Sequence, residues 1–340
     1  YIIIISLLLI TKSLSGEVFN FDVTEIEIKE NGNRFIGKKG GVAQSEDGTI
    51  IKAKNFNYDK IKNILIASGN VEINDQKDDI IIYSDNITYF KNKELVLTDG
   101  NSRAIGKNTQ IDAENFNYDK YKNILNANGS VKVENKKENY VIYSDEIIYL
   151  KNEEKIFTKG NSKAIYNNIN IISDNLNFDR NTNILNANGD VKIDDKIEKY
   201  SVNAKDITYF KNKDKFISKG KTNAIIDSKY NFDSSDVTLD RNLKELRSKQ
   251  QSIIIDDNSN LYNLSNFIFY YEKEFLKGEN IQVDTNYLDK KSDKYYFTNG
   301  FFDFINKTFI SKDTKVHGDI FRHLKCVKIL KTHHFRQFNW

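Results

Sequence analysis

The residue types best suited to chemistry crowd into one end of this chain. All four histidines (His317, His323, His333 and His334), the single cysteine Cys326 and the single tryptophan Trp340 fall in the last 24 residues. Imidazole and thiolate are good zinc ligands, but the spacing of His323, Cys326, His333 and His334 fits no standard finger, so no metal is expected. Carboxylates are plentiful, and neighbours such as Asp78-Asp79 and Asp194-Asp195 invite comparison with the acid and base of a glycosidase. Most of them fall at turns or on the outward parity of strands, where a solvated face explains them. There is no G-x-S-x-G elbow, no phosphate-binding loop and no Ser/His/Asp arrangement. The body before residue 317 has no His at all, which removes the commonest general base. No catalytic residue and no cofactor is expected.

The elements that would position any functional residue are strands. The chain has no Pro and no Met, and 12% of it is aromatic. Ile, Tyr and Phe suit a pleated, half-buried surface, while Asn and Asp suit the turns between strands. With 39% apolar residues against 29% charged, the chain can build a core.

The opening run Tyr1-Ile-Ile-Ile-Ile-Ser-Leu-Leu-Leu-Ile10 is almost wholly apolar and leads into Thr11-Lys-Ser-Leu-Ser15-Gly16. This matches the end of a secretory signal with small residues placed for cleavage before Gly16, so residues 1–15 are expected to be a signal remnant on an exported protein. The run is shorter than the ~20 residues of a membrane span. The net charge of +3 is more than accounted for by Arg322, Lys325, Lys328, Lys331 and Arg336, with no acid among them. The rest intersperses both signs, unlike the concentrated basic face of a nucleic-acid binder. One Cys excludes an internal disulfide framework.

The chain repeats with a period of 60 residues, clearest in Ala53-Lys-Asn-Phe-Asn-Tyr-Asp59, Ala113-Glu-Asn-Phe-Asn-Tyr-Asp119 and Ser173-Asp-Asn-Leu-Asn-Phe-Asp179. Each copy continues alike, to Gly69-Asn-Val-Glu-Ile73, Gly129-Ser-Val-Lys-Val133 and Gly189-Asp-Val-Lys-Ile193. The other half repeats as Tyr83-Ser-Asp-Asn-Ile-Thr-Tyr89, Tyr143-Ser-Asp-Glu-Ile-Ile-Tyr149 and Asn203-Ala-Lys-Asp-Ile-Thr-Tyr209. Glycines at 40, 69, 100, 129, 160, 189 and 220 mark a basic unit of about 30 residues, the signature of units that must stack because none can bury its apolar face alone. Weaker copies lie at 21–43, around Ser234-Ser-Asp-Val-Thr-Leu-Asp240, and beyond Asn266.

Within a unit the apolar period is two, which predicts strand, turn and strand. Asp59-Lys-Ile-Lys-Asn63 and Asp119-Lys-Tyr-Lys-Asn123 read as turns, and the glycines, inside the second strand, as bends or bulges. The mixed tract Asn242-Leu-Lys-Glu-Leu-Arg247 is the nearest approach to a helix, and repeat alignment favours strand there too. An all-β, elongated column of strands follows, with unpaired edges at its ends.

These features in combination resemble the OstA-like, organic-solvent-tolerance family shared by LptA and the periplasmic part of LptD. The A-x-N-F-x-Y-D opening, the A-x-G-x-V-x-I second strand, the secretory start and Thr314-Lys-Val-His-Gly-Asp-Ile-Phe321 carry the resemblance. The last segment is similar to the stretch where the LptD jellyroll gives way to its barrel. The resemblance covers roughly residues 18–321. It implies a non-enzymatic periplasmic β-jellyroll over 16–314, associated with the outer membrane, that shields the acyl chains of lipopolysaccharide. An atypical tail over 315–340 would stand at the junction to a barrel, as a truncated or frame-shifted end or, alternatively, a genuine divergent tail.

The resemblance further implies that the first strand region, Val18 to Ile28, pairs edge to edge with an LptA-like jellyroll, and that a full-length protein has a barrel and a lipoprotein plug as partners. The resemblance also implies inter-domain disulfides in a full-length protein, and it assigns Cys326 to none of them. The groove would be lined by the inward parity: Phe56, Tyr58, Leu65, Val71, Ile73, Ile87, Tyr89, Val96, Phe116, Tyr118, Leu125, Ile147, Tyr149, Ile156, Leu176, Phe178, Leu185, Ile207, Tyr209 and Phe216. A sandwich interior needs the same residues, so core packing is the alternative for each. A soluble LptA- or LptC-like bridge protein, or a β-solenoid adhesin or scaffold with a filled interior and no lipid affinity, are the competing readings.

Overall fold

A computed structural model of the chain describes residues 18–289 and 292–313, with the backbone of 315–317 and 335–339. The signal remnant at 1–15 and most of the tail, including His323, Cys326, His333 and His334, lie outside the described residues. The described chain is antiparallel β throughout, with helix confined to single 3-10 turns such as Lys91–Lys93, Lys151–Glu153 and Lys211–Lys213. It divides into two compact units, one of residues 18–107 and 115–121, the other of 108–114 and 122 onward.

The alternation of Ile, Leu, Val and Tyr with Asn, Lys and Thr produces long strands, and the glycines bend them. In the first unit Ile64–Asp75 and Ile80–Phe90 pair along their whole length, but Ser68↔Asn86 is followed by Val71↔Ser84. Two residues, Gly69 and Asn70, thus face one, Asp85, which is a bulge. Both bulge residues are left-handed, Gly69 at φ +81° and Asn70 at +53°. Gly tolerates that region without cost and Asn with little.

On either side of this bend the same strand joins different neighbours. Residues 64–68 pair with Asn55–Asp59, whereas 72–75 pair with Thr49–Ala53. Residues 86–90 pair with Leu95–Asp99, and 81–83 with Ser102–Ile105. Each pair of strands therefore contributes to two arms, a first arm ending in the Asp59-type turns and a second ending in turns such as 76–79.

The second unit repeats the device, with register shifts between Asn128 and Val131 and between Asn188 and Val191. A line of backbone hydrogen bonds marks the bend, among them Asp85 N–H to Gly100 C=O at 3.0 Å, Asp145 N–H to Gly160 C=O at 3.1 Å and Asp174 N–H to Gly189 C=O at 3.0 Å. Gly100 and Gly160 depart from expectation, lying between two short strands rather than inside one.

The arms face each other within each unit. Phe19 of the second arm meets Tyr58 and Tyr89 of the first at centroid distances of 5.2 and 5.8 Å, and in the second unit Tyr140 meets Phe178 at 5.5 Å. Near the bend the interior is polar but satisfied: Thr98 and Ser102 hydroxyls are 2.5 Å apart, as are Thr158 and Ser162, and Thr98 Oγ1 accepts the Phe116 N–H at 2.7 Å. The 242–247 tract forms a turn followed by the strand Glu245–Ser248.

Because the bend needs left-handed backbone, Gly189→Ala is expected to cost about 2 kcal/mol in urea denaturation, from the left-handed penalty and crowding. Its added Cβ would sit 2.7 Å from Asp174 Cγ. Gly48→Ala, at φ +88° in open space, should cost less, and equal losses would contradict a packing role for the bend.

Candidate functional site

Among the described residues, the interior between the arms is where the repeat concentrates its apolar side chains. Of the twenty groove candidates, nineteen are buried: Phe56, Tyr58, Leu65, Val71, Ile73, Ile87, Tyr89, Val96, Phe116 and Tyr118 in the first unit, and Leu125, Ile147, Ile156, Leu176, Phe178, Leu185, Ile207, Tyr209 and Phe216 in the second. Tyr149 is half-buried, because its hydroxyl reaches the rim, 3.5 Å from Glu154 Oε2 and 3.4 Å from Arg180 Nη1.

Nearly all the candidates belong to the first arm. The facing wall comes from residues that simple alternation misses, including Ile82, Ile111, Ile142, Ile171 and Val202. In Ile80–Phe90 the buried positions are 80, 82 and 84 before the bend and 87 and 89 after it. Counting back from Tyr89 by twos therefore puts Tyr83 inside and Ile82 outside, the reverse of what the bend produces.

In the second unit the arms stand apart enough to leave an apolar cleft of about 40 Å³. Tyr140, Ile142, Ala164, Tyr166 and Ile171 line it from the second arm, and Phe178, Leu185 and Tyr209 from the first, with Lys211 at its mouth. Lys211 Nζ sits 4.7 Å from the Tyr166 ring centroid, a cation–π contact at the rim.

Opposite the bend, the turns of the two arms meet along a seam, and the contacts there are ionic. The turns are preformed by their own acids: Asp59 Oδ1 accepts the N–H groups of Ile61 and Lys62 at 3.1 and 3.0 Å, and Asp195 Oδ1 those of Ile197 and Glu198 at 2.9 and 3.0 Å. In the first unit Lys120, following the first-arm strand Asn115–Asp119, reaches Asp75 at 3.0 Å, Asp47 at 3.2 Å and Thr49 Oγ1 at 2.7 Å, all at second-arm turns. Lys91 adds a 2.8 Å bond to Asp47.

In the second unit Arg180 pairs with Glu138 at 3.0 Å and with Glu154, and Lys211 also reaches Glu138 at 3.1 Å. Arg241 holds Asp195 at 2.9 Å and both oxygens of Asp214 at 2.9 Å. Lys120, Arg180 and Arg241 each follow the terminal Asp of a repeat, so the seam recurs with the repeat.

Burial would raise the Asp47 carboxyl, but hydrogen bonds from Lys91 and Ser45 and the charge of Lys120 hold it well below the ordinary range. For Glu138 burial is likewise outweighed by hydrogen bonds from Arg180 and Lys211, which lower it. Burial pushes the Tyr140 phenol up to about 12. The seam cations were missed in the sequence because their partners are distant, 73 residues for Lys120 and Asp47, 42 for Arg180 and Glu138 and 46 for Arg241 and Asp195. The available signal was a cation after Asp119, Asp179 and Asp240 at near-constant spacing.

Among the described residues no group of His, Cys, Asp and Glu is arranged to hold a metal ion. No described helix is long and apolar enough to cross a membrane, which says nothing of β-barrel spans.

Residues 50–155 match the family model described as LptA/(LptD N-terminal domain) LPS transport protein, so the resemblance read from the repeat holds over that segment. The solved structures similar to this chain include LptH, the LptA-homologous periplasmic component of the lipopolysaccharide transport device of Pseudomonas aeruginosa. It is 17% identical, with a TM-score of 0.30 over 33% of this chain and 82% of that one. No curated protein matches.

Two outcomes follow from the seam. Arg241→Leu should destabilise the protein by about 3 kcal/mol or more, because it strands Asp195, whose side chain is fully buried at 0% exposure. Calorimetric unfolding checks this. Asp47 and Glu138 are held lower in the folded than in the unfolded chain. Their contribution is therefore complete above the unfolded carboxyl values of about 4 and fades as pH falls below them toward the folded values. Melting temperature should drop between about pH 5 and pH 3, and Asp47→Asn with Glu138→Gln should flatten that drop. An unchanged slope would remove these pairs from the stability of the seam.

Proposed function

We propose that this chain is a periplasmic lipopolysaccharide-conducting domain of an outer-membrane assembly protein, which carries acyl chains between its two arms and catalyses nothing. The observation that carries the reading is the two-armed apolar interior, built from a bent-strand repeat whose copies at 50–155 match an LPS-transport family model. An acyl chain of roughly a dozen methylenes gains up to ~10 kcal/mol on leaving water, at about 0.8 kcal/mol each. An interior shielded along successive strands preserves that gain during transit. No step of such transport requires a nucleophile or a general base.

The strand Phe19–Lys29 supports a second part of the proposal. It pairs with Arg34–Ser45 and, among the described residues, with no strand on its other side. Ile26 and Ile28 on it are 51% and 59% exposed. An open edge with exposed apolar side chains suits β-augmentation by a similar jellyroll. Outer-membrane association, a barrel and its lipoprotein plug belong to the same proposal. So do the boundaries 1–15, 16–314 and 315–340.

One observation favours the competing scaffold reading. Among the described residues the interior is largely filled, and the apolar cleft of the second unit would hold little more than a methylene or two. Carrying lipid therefore requires the arms to part, whereas a structural repeat would keep them closed.

Photo-crosslinking to lipopolysaccharide separates the two. Probes replacing inward Leu185 or Tyr209 should capture lipid, while probes at outward Ile148 or Ile217, which are 42% and 39% exposed, should not. Capture at neither pair, with the fold intact by circular dichroism, would favour the scaffold.

A further inference from the structure

On the outward side of the second unit, the strands past residue 250 enclose a groove of about 360 Å³. Four amides, Gln251, Asn263, Asn280 and Gln282, line it together with Tyr296 and Asp313. Asn263 stands opposite Gln282, and Gln282 opposite Tyr296, on three neighbouring strands. These positions alternate with buried Tyr262, Leu264 and Val283, so the groove and the apolar interior lie on opposite faces of one sheet.

The groove forms where the repeat loses its regularity. Earlier in the unit charged side chains cover the bends: a side-chain carbon added at Gly129, Gly160 or Gly189 would collide with Glu114, Asp145 or Asp174. Past residue 250 left-handed asparagines, Asn266 at φ +46° and Asn280 at +49°, take over. In Phe275–Asp284 the buried positions are 276 and 278 before Asn280 and 281 and 283 after it, so the inward parity changes there, whereas Leu185, Ala187, Val191 and Ile193 keep it. Amides thus replace charge over the bend, and its outer surface is hollow instead of covered.

The lining is held in place by its own bonds. Asn263 Oδ1 accepts from Gln251 Nε2, Gln282 Nε2 donates to Asp284 Oδ1 at 3.0 Å, Asn280 Nδ2 to Ser265 Oγ at 3.1 Å, and Thr298 Oγ1 to Asp313 Oδ2 at 3.0 Å. Each bond fixes one end of a group that has two. The other ends remain for a ligand, the Asn263 amide as donor and the oxygens of Gln251, Asn280, Gln282 and Asp313 as acceptors. A hydroxyl donates and accepts at once, so a ligand rich in hydroxyls answers both kinds. Tyr296 adds an aromatic face for the C–H side of a sugar ring, and a mixed aromatic and polar lining of this size falls within the roughly 300–1,000 Å³ of small-ligand sites. Among the described residues the lining holds no cation and one anion, Asp313, which disfavours phosphate and carboxylate.

We infer that this groove binds a neutral carbohydrate, with Asn263 and Gln282 bonding its hydroxyls and Tyr296 stacking on a ring. The inference goes beyond the conduit reading and does not rest on it. Because the sheet separates the groove from the interior, the glycan it takes is free or polymeric, not the head of a lipid lodged between the arms.

Isothermal titration of the full chain with maltohexaose, chitohexaose and dodecyl maltoside (below its micellar concentration) tests this. At least one of the two oligosaccharides should bind with a Kd of about 1 mM or tighter, and added salt should leave the affinity unchanged, since the ligand carries no charge. Gln282→Ala and Asn263→Ala should each weaken binding about fivefold, the worth of one neutral hydrogen bond, and Tyr296→Ala about tenfold or more. Gln282→Ala is the arm safest for the fold, and its melting temperature should match that of the wild type. Asn203→Ala serves as the control, because Asn203 is a similarly outward, half-buried amide on the regular strand Tyr200–Phe210 and should not affect binding.

Failure of both oligosaccharides to bind would overturn the inference and leave the conduit untouched. Equal losses in Asn203→Ala and Gln282→Ala would overturn it too, because the sugar would then be held by the outer face at large. Dodecyl maltoside binding that Tyr296→Ala weakens, with no binding of either free oligosaccharide, would replace the free glycan with a glycolipid head. Dodecyl maltoside binding that none of the variants alters reports on the interior, and beside oligosaccharide binding that they do alter it supports two separate sites.

Discussion

Everything in this fold depends on the bend placed near the middle of each long strand. A straight antiparallel pair buries one face against something else, and the described residues hold no helix longer than a single 3-10 turn to supply that cover. The two-against-one bulge lets the strand cover itself: left-handed Gly189 and Asp190 turn Ile184–Asp195 so that Leu185 and Ala187 face inward on one arm and Val191 and Ile193 on the other. The hydrogen bond from Asp174 N–H to Gly189 C=O stitches the neighbouring strand into the same fold line. One glycine per strand thus creates an interior, a closed side at the bend and a seam opposite it.

The seam determines how firmly that interior is shut. Apolar contacts across it would have fused the arms, whereas ion pairs are held differently. Their attraction is largely offset by desolvation, so they add little net stability, but breaking one partner away is expensive. Lys120 illustrates the compromise. Burial lowers the favourability of its charge, yet Asp75, Asp47 and Glu94 more than compensate and keep it protonated. Such a seam is closed by charge, and parting it leaves buried carboxylates such as Asp75 and Asp195 without their cations.

How much of this was legible follows from the range of the interactions. The strands, the turns at Asp59, Asp119 and Asp179 and the bulges at Gly69, Gly129 and Gly189 are local, and a single chain read by period and parity reveals them. The first-arm residues came out of the same reading, because parity is preserved through 65, 67, 71 and 73 on the glycine-bearing strand. The second arm did not, because the opposing strand changes parity at Asp85, where one residue answers two. The seam left one trace in the sequence, a cation after Asp119, Asp179 and Asp240, and no sign of the partners of those cations. Arg180 and Glu138 lie in different units of the repeat, and nothing local distinguishes either from a solvated turn residue, as Lys60, the exposed residue after Asp59, shows.

The closed interior and the proposed transport are compatible only if opening is cheap where it must occur and dear elsewhere. The side chains of the second unit bear on that condition. Beyond residue 230 the arms interlock through aromatic rings, with Phe232 against Phe267 at 5.6 Å, Tyr262 against Phe302 at 5.4 Å and Phe297 against Phe302 at 5.9 Å. Pairs of this kind contribute roughly 0.5–1.5 kcal/mol beyond their buried area and resist separation. Around the cleft ring contacts cross between the arms too, Tyr140 against Phe178 at 5.5 Å and Tyr166 against Tyr209 at 6.4 Å, but they flank Ala164, whose small side chain leaves the gap. Parting the arms there must break those ring contacts together with the ion pairs that Arg180 and Lys211 make to Glu138, so aromatic packing and charge hold that stretch shut in common.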